Sequence, residues 1–156
     1  MAIEDFKKKH FMEDHPGAEF PAFENVGASQ RANLKEEVAL RLGLSRDTDA
    51  LDVVKRVHEC FGVPSTYDAT EASFNLKSVV ADLALEIDEY VYINWDRFDH
   101  LDRIRFTDLA EHFPYIWYSS SDDIEIYDDK LRWVIVIRHD GAAALVPMLH
   151  PGLLKP

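Results

Sequence analysis

The sequence predicts an α+β fold in which amino-terminal helices pack on a small antiparallel β-meander formed by the carboxyl-terminal third. Three observations carry this. Apolar residues recur at helical spacing from Leu34 to Phe61, strict alternation sets in at Ile124, and an Asp140-Gly141 pair stands between two apolar runs. With 156 residues, 47% of them hydrophobic and 12% aromatic, the chain reads as one domain, 1–156, able to bury a core.

Residues 1–28 mix Phe6, Phe11, Phe20 and Phe23 with Pro16, Gly17, Pro21 and Gly27, which suits a short helix followed by an irregular arm that wraps the core. A helical part follows over 31–88. Leu34, Val38 and Leu42 recur every fourth residue, Asn33 with Glu36 resembles a capping box, and Gly43 is placed to end the helix. Thr48 or Asp49 caps the next helix, whose stripe is Leu51, Val54, Val57 and Phe61, with Gly62 and Pro64 as its stop. A third helix is expected from Thr70–Glu71, placing Leu76, Val79, Val80, Leu83 and Ile87 on one side.

The β-rich part covers 90–147. Tyr90, Val91, Tyr92 and Ile93 favour extended backbone, and a short helix is expected from about Thr107 to His112, capped by Thr107 or Asp108 and followed by Pro114. Ile124–Tyr127 alternate, Asp128–Asp129 turn the chain, and Leu131–Arg138 return. Trp133–Ile137 are apolar on both faces, so that strand is covered on both sides. After Asp140-Gly141 the chain runs back from Ala142 to Val146 until Pro147.

Charge is concentrated. Residues 82–129 hold fourteen Asp and Glu against three Arg, which leaves −11 of the chain's −12 among nine Tyr, Trp and Phe side chains that lie between Tyr90 and Tyr118. Such a segment repels nucleic acid and anionic membranes and attracts a basic partner. The amino terminus lacks the apolar run of a signal peptide, no stretch approaches a membrane span, and Cys60 is the single cysteine, so a soluble cytoplasmic protein is expected.

Catalytic patterns are weak. His58 and Cys60 lie two apart on a helix and diverge, and Asp140 is explained by its turn. No glycine-rich phosphate loop occurs. His10, Asp14 and His15, like Asp99, His100 and Asp102, lack persuasive metal-ligand spacing, and Asp122-Asp123 after three serines reads as a loop entering a strand. We therefore expect no catalytic set, no metal and no cofactor. The expected contacts are Asp96, Asp99, Asp102, Asp122 and Asp123 as charges, with Trp95, Trp117 and Tyr118 as anchors. The competing expectation is a small-molecule enzyme or ligand-binding domain with a pocket between helices and sheet, where Asp122 or Asp123 moves protons.

Residues 49–63 resemble the second helix of acyl carrier proteins, but Ala50 stands where that family has its modified Ser. A second resemblance is one of type. Tyr92-Ile93-Asn94-Trp95-Asp96, Ile116-Trp117-Tyr118, Ser121-Asp122-Asp123-Ile124 through Trp133, and His139-Asp140-Gly141 look like the small acidic immunity proteins that bacteria make against their own nuclease toxins. The resemblance implies a non-enzymatic inhibitor that neutralises a basic nuclease stoichiometrically, its acids blocking the phosphate path. It carries over no functional residue.

Overall fold

A computed structural model of the chain describes residues 3–60, 67–82 and 84–148. Its elements run α1 (Asp5–Asp14), β1 (Phe23–Asn25), α2 (Ala28–Arg41), α3 (Ala50–Glu59), β2 (Tyr67–Asp68), α4 (Leu76–Asp82), β3 (Tyr90–Asp96), β4 (His100–Arg105), α5 (Phe106–Glu111), α6 (Phe113–Ile116), β5 (Ile124–Asp128), β6 (Trp133–Ile137) and β7 (Ala142–Pro147). The α+β expectation holds, but the sheet is larger than a meander: among the described residues it has seven antiparallel strands in the order β1-β4-β3-β5-β6-β7-β2.

The sheet is covered on both faces, as the doubly apolar β6 requires. Trp133, Ile135 and Ile137 pack with α4, α5 and α6 through Val79, Val80, Leu109 and Ile116. Val134 and Val136 face α2 and α3 through Val38, Val53 and Val57. All five β6 residues are buried.

Several boundaries differ from the sequence reading, each for a local reason. Helix α2 begins at Ala28 with Gly27 as its cap, so Asn33 and Glu36 lie inside the helix and form no capping box. Gly43 ends it at φ 77°, the left-handed conformation that glycine tolerates. Asp49 caps α3, its Oδ1 accepting from the Leu51 amide at 2.9 Å. Phe61, Gly62, Pro64 and Leu83 lie outside the described residues.

The third helix is short. Asn75, whose Oδ1 accepts from the Lys77 amide at 2.9 Å, starts α4 at Leu76, and Ile87 is 43% exposed rather than on its buried face. Pro114 does not stop helical structure either. It sits in the first turn of α6, where a missing amide costs nothing. The cap of α5 is Arg105, without a side-chain bond, in place of Thr107 or Asp108.

The β3–β4 hairpin is invisible to turn chemistry because Arg97 (φ 43°) and Phe98 (φ 64°) occupy left-handed backbone without glycine or asparagine. Asn94 compensates, its Oδ1 accepting from the Phe98 amide at 2.9 Å, while the Phe98 ring is buried. Arg97 is exposed and 3.8 Å from Asp96, a contact of little energetic weight. Arg97→Gly should therefore raise stability by about 0.5–1 kcal/mol by relieving the left-handed strain, read as an upward shift of the urea midpoint.

Candidate functional site

The pairing of β3 with β5 decides the site. Asn94 stands opposite Glu125 across the two strands, so the end of β3 and the start of β5 lie side by side. Glu125 and Tyr127 alternate onto the sheet face that α3 covers, and both are buried. The Tyr127 hydroxyl donates to Glu125 Oε1, and Asn94 Nδ2 donates to the same oxygen at 3.2 Å. His58 of α3 brings Nε2 to 3.3 Å from Glu125 Oε2. Burial, the Glu125 charge and that hydrogen bond together push the Tyr127 hydroxyl well above its ordinary pKa, so it stays a neutral donor.

Beside this network opens a cleft of about 440 Å³. Leu51, Val54 and His58 of α3 form one wall, and Asn94, Trp95, Asp96 and Arg97 another. Ser121, Asp122, Asp123 and Glu125 complete it. Four acids thus line a cleft with a single arginine. Asp96 and Asp123 stand exposed at the rim, and Glu125 lies on the floor. A cationic side chain entering there would find acceptors on two strands.

Of the expected contacts, Trp95, Asp96, Asp122 and Asp123 converge on this cleft, yet burial divides them. Asp122 is 2% exposed, and its Oδ2 accepts from Lys7 Nζ at 2.7 Å and from the Tyr118 amide at 2.8 Å. Its carboxylate is thus taken up by internal donors. Asp102 is 1% exposed, accepting from the Ile3 amide at 3.1 Å, from Trp95 Nε1 at 2.9 Å and from Asn25 Nδ2. Trp95 and Trp117 are 6% and 5% exposed, so both are core rings rather than surface anchors. Trp117 stacks on Phe113 and donates to the Asp122 carbonyl at 2.9 Å.

The remaining expected contacts scatter. Asp99 lies on a separate shallow depression with Arg31, Lys35 and Phe98. Tyr118 is half-buried, its hydroxyl 2.8 Å from His10 Nδ1, and it lines a second groove of about 590 Å³ walled by Phe74, Phe113 and Trp117. Asp123 holds the β6–β7 connection by accepting from the His139 amide at 2.7 Å.

Nor do the other acids of 82–129 gather. Glu86, Asp88 and Asp128 all reach Arg132, Glu89 pairs Arg105, and Asp129 pairs Arg103. Several acids of the segment are thus taken up by separate arginines, and the cleft is where four others come together.

Sequence reasoning does not single out Asn94 or Glu125 as site residues, and it weighs His58 only beside Cys60. The i, i+2 relation of Asp123, Glu125 and Tyr127 on an alternating strand is the available signal, but its partners on α3 and β3 are distant in the chain. No protein-family model matches this chain, and no curated protein or solved structure matches it. Among the described residues no helix is long and apolar enough to cross a membrane.

Proposed function

We propose that this chain is a non-enzymatic, cytoplasmic protein-binding module that captures a basic partner, in the manner of a bacterial immunity protein neutralising a nuclease toxin. The observation that carries the reading is the cleft itself: Asp96 and Asp123 exposed at the rim and Glu125 on the floor, with Arg97 the one arginine among the lining residues. A lysine or arginine of the partner enters between them. The −12 net charge of the chain adds long-range attraction and favours a basic partner over nucleic acid or an anionic membrane.

Association with a basic nuclease, followed by stopped flow, should slow by about tenfold or more from low to high ionic strength, because steering between exposed charges is screened. Asp96→Asn with Asp123→Asn should lower the association rate several-fold and leave thermal stability nearly unchanged, since both side chains are exposed and Asn keeps the acceptor for the His139 amide. A rate indifferent to salt and to both substitutions would end the proposal.

One observation favours the alternative, a small-molecule site: the second groove, between the 69–75 segment, α5 and α6, has aromatic walls and a volume typical of ligand pockets. Saturable quenching of Trp fluorescence by a small aromatic compound, lost in Phe74→Ala, would support it.

A further inference from the structure

Lys7 is the one lysine among three in α1 that points inward, and it is 1% exposed. Its Nζ donates to the Ile116 carbonyl at 2.8 Å and to Asp122 Oδ2 at 2.7 Å. The same nitrogen lies 4.3 Å from the centre of the Trp95 ring, 5.1 Å from that of Tyr118 and 6.0 Å from that of Phe6. Carboxylate, carbonyl and aromatic faces are what a desolvated ammonium needs: one charge partner, further acceptors, and the negative faces of aromatic rings.

The walls are held independently of the lysine. Trp95 is fixed by its indole bond to Asp102, and the Asp122 carboxylate by the Tyr118 amide. Trp117 holds the Asp122 carbonyl. Helix α1 is held at other points as well: Phe11 packs against Phe20, His112 and Tyr115, the Tyr115 hydroxyl donates to Asp14 at 3.0 Å, and Phe6 and Met12 are 52% and 54% exposed. A cage whose walls are held by other bonds is thus filled by a side chain delivered from a separate element, α1.

The structure assigns to this chain a latent binding site for a primary alkylammonium group, built by Asp122, the Ile116 carbonyl, Trp95 and Tyr118 and occupied in cis by Lys7. It is separate from the capture function proposed for the rim of the cleft, since Asp122 turns its carboxylate to Lys7. With the lysine truncated, the cage accepts a free amine of matching length.

The test is chemical complementation of Lys7→Ala in the full chain with n-propylammonium chloride, which restores the atoms removed. The melting temperature of Lys7→Ala should rise by about 3–5 °C for each tenfold increase of amine above its dissociation constant. The wild-type chain, with its cage filled, and Lys7→Ala/Asp122→Asn, with its carboxylate neutralised, should show no such rise. If Lys7→Ala is unfolded, the amine should restore the native circular dichroism spectrum. Absence of rescue, equal rescue by n-propanol, or equal rescue of the double variant would overturn the site. None of these outcomes bears on the salt dependence of partner capture, so the two ideas fail separately.

Discussion

Arg132→Ala is expected to cost about 2–4 kcal/mol and to remove much of the acid sensitivity of the fold. Arg132 Nε is 2.7 Å from Asp128 Oδ2, its Nη1 2.6 Å from Glu86 and its Nη2 3.2 Å from Asp88, so one guanidinium ties the segment before β3 to the β5–β6 turn. Asp128 is fully buried, and removing its partner strands a carboxylate without compensation. Loss of one member of a buried pair costs about 3–5 kcal/mol, and the lower range applies because 29% of the Arg132 side chain is exposed, which leaves part of the interaction screened by solvent.

The pH dependence follows in sign. Burial alone would raise the Asp128 pKa, but the hydrogen bonds and charge of Arg132 outweigh it and hold the carboxyl below its ordinary value of 3.8. A group whose pKa is depressed on folding contributes stability above its unfolded pKa and loses it as pH falls through the folded one. Urea midpoints of the native chain should therefore fall below about pH 4. In Arg132→Ala the carboxyl is no longer depressed and this part of the fall should vanish. A variant that keeps the native acid limb would show that Arg132 does not set it.

The second large effect is expected at the other buried ion pair. Lys7→Met keeps an unbranched chain against Trp95 but leaves Asp122 charged and unpaired at 2% exposure, at a cost of about 3–5 kcal/mol. Asp122→Asn alone strands the lysine to a similar degree. The double variant should recover part of either loss, because no buried charge remains, and the cycle measures the coupling directly. Additive losses in urea denaturation would mean that the two groups do not stabilise each other.

Much of the fold is legible in the sequence because it is local. Periodicity locates α2 and α3, alternation locates β5, the two-faced apolar run locates β6, and Asp140-Gly141 locates the turn into β7, where Gly141 has φ 96°. What escapes is set by long-range pairing. Strand β1 is three residues long and β2 only two, too short to carry a pattern, and each exists by pairing with β4 or β7. The helix expected to run on to Ile87 is described over Leu76–Asp82 alone, and Glu86 beyond it reaches Arg132.

The candidate site divides in the same way. Composition points to Trp95, Asp96, Asp122 and Asp123, and β3–β5 pairing brings them together around one cleft. His58 joins them only because α3 packs over that sheet face. The two indoles nominated as anchors turn inward, since an indole that finds an internal acceptor, as Trp95 and Trp117 both do, gains by burying its area.

Amino-acid order alone determined the acid excess, its confinement to residues 82–129, and the elements whose periodicity lies within one segment. Tertiary structure decided which acids meet solvent. Asp122 and Asp123 are neighbours of identical chemistry, yet the side chain of the first is 1% exposed and that of the second 55%. The difference is a lysine 115 residues away, and whether a carboxylate stays in water or is buried depends on whether folding brings it such a partner.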